Sequence, residues 1–334
     1  MPATEPTLPT LDAFLAAPLR VGEPDVHGAL AVFPVYGPPP RVEYVAFADG
    51  CARGLTVKEL DGHAAVNDLV VLNPTDVAVL LYEGEEVLGA QQNRTFDVSV
   101  LVPPSACLRV PVSCVEHGRW DGARHHEAFS PAPQAAYPSL RRLKNCAAHA
   151  HVAAGLEARA EQGAVWDDVA AKSARLNVGS ATGAMHDVYE HRRGRLREFE
   201  AAIPLHPGQT GAIVAIAGRI AVLDHLSRTD AFATLHGPLV QGYALDALEA
   251  LESPAGAAAP PPLAAAYAFV ECLAHTRVTE HDGIGLGPDV RFAAGGATGV
   301  GLVAGDELVQ LTGFADDDGP TTHRARVGRP SRRR

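Results

Sequence analysis

The run YEGEEVLGAQQNRTF, residues 82–96, places Glu83, Glu85 and Glu86 just ahead of Gln91, Gln92, Asn93 and Arg94, between the apolar VAVLLY and the alternating FDVSVLV. A second polar run, VPVSCVEHGRW, carries Cys114, Glu116, Arg119 and Trp120. These residue types fit two kinds of chemistry. Paired carboxylates divide acid and base roles when one pKa is raised and the other ordinary. An arginine with neighbouring amides holds an anion, and a tryptophan offers a flat face to a ring. The catalytic candidates are Glu83, Glu86 and Glu116; the ligand-binding candidates are Gln92, Asn93, Arg94, Cys114, Arg119 and Trp120.

Both runs need strands to hold them. Phe96, Val98, Val100 and Val102 alternate, as do Val110 and Val112, with Pro103-Pro104-Ser105 between them. If that turn centres an antiparallel hairpin, facing residue numbers sum to about 208, and Gln92 and Arg94 face Glu116 and Cys114. The face is apolar near the turn and polar at its open end. One account is structural, an Arg94–Glu116 ion pair that closes the sheet. The other is a ligand site, with Arg94 aimed at an anion and the carboxylates serving as acid, base or hydroxyl acceptor.

Composition bounds the partners. The net charge of −11 argues against a general grip on nucleic acid, which needs a basic face. The basic stretch HRARVGRPSRRR at the end has no apolar periodicity and reads as a disordered tail over 313–334. The first residues have no basic segment ahead of a long apolar run, and no stretch approaches the ~20 apolar residues of a membrane span. The cysteines at 51, 107, 114, 146 and 272 are odd in number and scattered, which fits reduced thiols and a cytoplasmic protein.

Short Val-rich runs fill residues 28–114: GALAVFPVY, RVEYVAF, LVVLN, VAVLLY, FDVSVLV and LRVPVSC. They predict a mostly antiparallel sheet, a sandwich or roll. Apolar spacing of three and four then predicts helices over 134–202. AIVAIAGRIAVLD reads as a hairpin about Ala217-Gly218, followed by a helix from Arg228 to Leu251 interrupted at Gly237-Pro238. SPAGAAAPPP reads as a linker, before a helix at 263–275 and strands near 277–281, 289–293, 299–304 and 307–311. The fold class is α+β: an N-terminal mostly antiparallel sheet, central helices, and C-terminal mixed hairpins and helices. The expected organisation is an extension over 1–27 and a single domain over 28–312.

Other motifs carry less. DGIGLGPDVRF and GGATGVG do not open helices, so they read as turns rather than phosphate loops. In NVGSATGAMHDVYEH, Ser180 or Thr182 is a candidate N-cap. His149 and His151 point apart on a helix; His186 and Glu190 share a face but make only two ligands, so no metal site is expected. Glu280-His281-Asp282 is either a turn or a source of acid groups for a cleft. The spacing identifies no cofactor and no oligomeric state.

EGEEVLGAQQNR, VPVSCVEHGRW, TGAM, GQTGAIVAIAGRI and YALDAL together resemble the domain named for its association with ADP-ribosylglycohydrolases and rhodanese-phosphatase proteins, first type. The resemblance implies a link to NAD-derived or ADP-ribose-containing metabolites. Its matching polar positions are Glu83, Glu85, Glu86, Gln92, Asn93, Arg94, Cys114, Glu116, Arg119, Trp120, Gln209 and Asp246. The expected function is binding of a small anionic, nucleotide-derived ligand, as sensor or enzyme; the alternative is a non-catalytic scaffold whose polar motifs are structural.

Overall fold

A computed structural model describes residues 8–60, 66–253, 256 and 258–316. The first half of the chain supplies β1 (Arg20–Val21), β2 (Asp25–His27), β3 (Leu30–Tyr36), β4 (Tyr44–Ala46), β5 (Thr56–Lys58), β6 (Asp68–Asn73), β7 (Ala78–Leu81), β8 (Glu85–Leu88), β9 (Arg94–Phe96), β10 (Val100–Val102), β11 (Ala106–Cys114) and β12 (Ser130–Ala135), with a short helix α1 (Phe47–Ala52) after β4. Three helices follow: α2 (Pro138–Ala153), α3 (Gln162–Arg175) and α4 (Met185–Ala202). The chain then runs through β13 (Gly211–Ile216), β14 (Arg219–Leu226), α5 (Thr229–Glu252), α6 (Leu263–Ala274), β15 (Thr279–His281), β16 (Asp289–Ala294), β17 (Ala297–Ala304) and β18 (Glu307–Ala315). The protein is α+β.

The strands form three sheets. The largest runs β1-β3-β13-β14-β18-β17-β16-β15, with β2 also paired to β3. Both of its faces are covered, because alternate residues of one strand enter different cores: Ala212 and Val214 pack with α4 and α5, Ile213 and Ala215 with α6 and the N-terminal segment. The six-stranded sheet, β12-β8-β9-β11-β6-β5, and the three-stranded sheet, β10-β7-β4, enclose a third core of Val and Phe side chains. Pro131 and Pro133 sit in β12, an edge strand, where a missing N–H breaks no ladder.

The hairpin register holds but its continuity does not. Arg94 faces Cys114 and Phe96 faces Val112, as the parity argument requires. FDVSVLV, however, is not one strand. β9 stops at Phe96, and β10 pairs with β7, while the first part of β11 pairs with β6. The break falls at Asp97, whose carboxylate accepts from Ser113 Oγ (2.6 Å) and the Ala160 amide (3.1 Å) and faces Lys144 Nζ (3.3 Å). Phe96, Val98, Val100 and Val102 nevertheless reach the same core.

Three further differences concern boundaries. Helix α5 runs through Gly237-Pro238 without a break. One lost hydrogen bond is outweighed there by the burial of Leu235, Leu239 and Val240 on the flanking turns. Residues ahead of 28 belong to the large sheet: β1 and β2 pair with β3, and Leu11, Leu19 and Val21 are buried. Strand β18 continues past residue 312 to Ala315, with Phe314 fully buried; residues 317–334 of the expected tail, and residues 254, 255 and 257 of the expected linker, lie outside the described residues.

Where the two larger sheets meet α2, the core is ionic. Arg141, fully buried on α2, donates to Glu83 through Nε (2.9 Å) and to Asp224 of β14 through Nη1 (2.9 Å) and Nη2 (2.6 Å). Asp224 also accepts from Tyr82 (2.6 Å) and from Tyr243 of α5 (2.5 Å). One turn along α2, Lys144 donates to the Phe96 carbonyl (2.7 Å) and Thr95 Oγ1 (3.2 Å) of β9. Gly84 makes the approach possible. Its φ is +86°, and a Cβ there would lie 2.8 Å from Arg141 Cδ.

Because each member strands the others when removed, Arg141→Ala and Asp224→Ala are each expected to cost about 3–5 kcal/mol. The double replacement should cost less than their sum, measured by urea denaturation. Additive losses would mean that the groups act independently.

Candidate functional site

The turn Gly89–Asn93 between β8 and β9 delivers Arg94 as the first residue of β9, beside the last residue of β11. Arg94 has no exposed surface. Its guanidinium stands 3.8 Å from Glu59, which follows β5, and makes one long bond to the Asn93 carbonyl (3.5 Å). Nε and Nη2 have no hydrogen-bond partner among the described residues. Neither Glu59 oxygen accepts a bond of good geometry, although the Gln91 amide lies beside them. Burial pushes the Glu59 carboxyl up, against the pull of Arg94; it pushes the Arg94 guanidinium down, against Cys114 and Glu59. Gln91 Oε1 and Gln92 Oε1 are likewise buried and unpaired.

Over this pair lies the segment 117–128. The Trp120 ring, half exposed, stands 5.9 Å from the Arg94 guanidinium carbon. Arg119 fastens the segment by donating to the Ala90 carbonyl (2.7 Å) and Asn93 Oδ1 (3.0 Å). His125 Nδ1 meets Gln91 Nε2 at 2.8 Å. The expected Arg94–Glu116 ion pair is not formed. Glu116 binds Arg119 instead (2.6 Å), and it accepts from the Asn93 amide (3.1 Å) and Thr182 (2.9 Å). Burial raises the Glu116 carboxyl, but those three donors outweigh it and hold the group below the usual carboxylate range. Glu116 therefore ties the 180–184 loop to the strands, and its backbone bridges Ala184. Ala184, not Ser180 or Thr182, is the N-cap of α4; Ser180 Oγ accepts from the Ala184 amide (2.9 Å).

The other two carboxylates lie elsewhere. Glu83 is engaged by Arg141 in the central network. Glu86 pairs with Thr95 across the ladder, whereas Arg94 pairs with Val87, so Glu86 and Arg94 project from opposite faces of the sheet. Glu86 Oε2 accepts from Gln134 (2.7 Å), whose amide nitrogen also meets His186 Nδ1 (2.8 Å). Glu86 Oε1 has no hydrogen-bond partner among the described residues. Burial, only partly offset by Gln134 and reinforced by Glu116 and Asp187, pushes this carboxyl up to about 8. Glu85 is also pushed up to about 8 by burial, opposed by the Tyr82 amide. Cys114 is anchored through its backbone by Gln162, in bonds of 2.8 and 2.9 Å, and burial raises its thiol.

The remaining sequence candidates disperse. Gln209 closes a turn ahead of β13 through Gly211 (2.8 Å). Asp246 pairs with Lys172 and caps Ser139 (2.9 Å) in a separate cleft of about 680 Å³. His186 turns to Gln134 and Glu190 to Arg193. Among the described residues, no group of three or more His, Cys, Asp or Glu side chains is placed to hold a metal ion, and no helix is long and apolar enough to cross a membrane.

Several partners escape the sequence: Glu59, His125 and Gln134 come from distant segments, and Gln91, though inside the 82–96 run, is not among the ligand-binding candidates. Arg141 and Lys144 had a signal. They fall with Leu140, Asn145 and Ala148 on the buried stripe of α2, where a basic residue demands a partner.

Residues 18–314 match the family model described as the ARG and Rhodanese-Phosphatase-superfamily-associated Protein domain. No curated protein and no solved structure matches the chain. The match spans the six-stranded sheet that builds the site and the six α-helices of the described residues, so the chain belongs to the ARPP-1 family.

Proposed function

We propose that the protein binds a small anionic ligand of the NAD-derived or ADP-ribose-containing class at Arg94 and Glu59, with the 117–128 segment over them moving aside to admit it. One observation carries this: a fully buried arginine and a buried glutamate face each other with donors and acceptors unspent, beneath a half-exposed tryptophan. Leaving such groups unsatisfied costs about 1–3 kcal/mol each, more for charged ones, so an occupant that satisfies them is strongly favoured. Arg94 Nε and Nη2 suit phosphate oxygens. Glu59 suits the hydroxyls of a ribose, and Trp120 suits a base. The family's association with ADP-ribosylglycohydrolases points to the same class of ligand.

Binding is favoured over chemistry by the placement of the acids. Glu116 is spent on Arg119, Asn93 and Thr182, and Glu83 on Arg141. Glu86 keeps its proton at neutral pH but projects from the other face of the sheet. The scaffold alternative draws on the same facts, since most of the polar motif is consumed internally.

ADP-ribose at millimolar concentration is expected to raise the melting temperature by several degrees, as ligand at about 100 times its Kd adds about 2.7 kcal/mol. Arg94→Gln should remove most of that shift. Trp120→Ala should weaken ADP-ribose more than ribose 5-phosphate, which lacks the base. If ADP-ribose, NAD, ADP and ribose 5-phosphate all leave the melting temperature unchanged, and Arg94→Gln only destabilises, the motif is structural.

The protonation of Glu86 has its own test. An unfolded glutamate titrates near the ordinary value, the folded one at about 8, so between those values the native state holds a proton that the unfolded chain has lost. Wild-type stability must therefore fall, relative to Glu86→Gln, as pH rises from about 5 to about 8. Denaturation curves of both proteins across that range give the difference directly; a constant gap would show that Glu86 is ionised throughout.

A further inference from the structure

Arg291, on β16, is 1% exposed. Its Nη2 donates to Asp289 Oδ2 at 3.0 Å, while Nε and Nη1 have no partner among the described residues. Unlike Arg94, it lines an open cleft, of about 480 Å³. One wall is the 282–288 loop, the glycine-rich DGIGLGPD. This loop is pressed onto β10: the Leu286 amide donates to the Leu101 carbonyl (2.8 Å), and a Cβ at Gly285 would stand 2.2 Å from that oxygen. The opposite wall is the connection between α2 and α3, with Val152, Leu156 and Arg159. His281 and Asp282 line the cleft as well; Glu280 does not.

The lining is divided in character. Arg109 and Arg159 share Asp68, at 2.6 and 3.6 Å, and Arg159 also pairs with Glu157. With Asp289 on Arg291, every carboxylate of these pairs is engaged, but Arg291 retains donors. Leu156, 60% exposed, and Ile284, 39% exposed, present apolar surface beside them. The volume falls in the range of small-molecule sites, about 300–1,000 Å³, and far exceeds one water. Three arginines, Arg109, Arg159 and Arg291, meet four carboxylates, Asp68, Glu157, Asp282 and Asp289, so the open donors of Arg291 can take a single anionic head but the lining repels a polyanion.

We propose that this cleft is a second ligand site, which takes a small amphiphilic oxyanion: a carboxylate or phosphate monoester on an apolar body. Arg291 Nε and Nη1 donate to the head, and Val152, Leu156 and Ile284 pack on the body. The cleft shares no residue with the Arg94 site and stands or falls independently of it.

Isothermal titration of the full chain with benzoate, phenyl phosphate, inorganic phosphate and benzyl alcohol tests the assignment. Benzoate or phenyl phosphate should bind at millimolar concentration or below, and better than inorganic phosphate or benzyl alcohol. Arg291→Met, which keeps the bulk and removes the donors, should weaken binding about a hundredfold or more, the loss of two charge-assisted hydrogen bonds. Ala158 also lines the cleft, beside Leu156 and Arg159, and Ala158→Trp, which fills the space and leaves Arg291 in place, should abolish binding even if Arg291→Met fails to fold, whereas Arg94→Gln should leave it unchanged. The proposal is overturned if neither aromatic anion binds, if binding survives Ala158→Trp, or if benzyl alcohol binds as well as benzoate.

Discussion

The Arg141 guanidinium is the point on which the fold's layers depend. It reaches from α2 to Glu83 at the start of the β8 hairpin and to Asp224 in the large sheet, while Tyr82 and Tyr243 complete the shell of Asp224. The contacts come from the β7–β8 connection, β14 and α5, so the network fixes how the sheets and helices meet. Burial works against ionisation of Asp224, but Arg141 holds it low; the same pairing holds the guanidinium charged against burial. An apolar core of equal volume would lose no stability by necessity. It would lose the requirement that one face of α2, and no other, turn inward.

That network supplies an internal standard for buried arginines. Three of them are almost completely buried among the described residues: Arg94, Arg141 and Arg291. Arg141 donates through all three nitrogens to carboxylates. Arg94 and Arg291 each have two nitrogens unspent, although carboxylates stand next to both. The same chain that satisfies one guanidinium completely leaves two others open, one under a half-exposed tryptophan and one along a cleft. All three are buried to the same degree, so the difference lies in what stands beside them: an indole over Arg94 and a cleft along Arg291.

Much of this was legible in the sequence, for identifiable reasons. Period-two alternation fixed which residues of β9 and β11 face each other, and the 94–114 pairing follows from parity alone. The helices appear because their apolar spacing survives several turns. What parity could not reveal is where a strand stops: Asp97 breaks the run through bonds to Ser113, Ala160 and Lys144, two of which lie beyond residue 140. Likewise the pairing of Arg94 with Cys114 was readable, but the expected Arg94–Glu116 ion pair does not form, since Arg119 lies three residues from Glu116 and takes the contact. Glu59 has no local signal at all. It reaches Arg94 only through the pairing of β5 with β6 and of β6 with β11.

The acid residues show most clearly how environment, rather than residue type, assigns roles. Glu83, Glu86 and Glu116 are all buried. One is matched by a guanidinium in the core, one is held ionised by Arg119 and Thr182, and one keeps its proton through burial. A raised and a lowered carboxyl close enough to influence each other would suit acid–base chemistry. Here the ladder sends Glu86 to the face of Thr95 and α2, and Arg94 to the other. A substrate anchored on Arg94 would meet Glu59, not Glu86. Arg94, Glu59 and Trp120 thus stand together on one side of the sheet, and the raised carboxyl of Glu86 packs with Gln134 and His186 on the other.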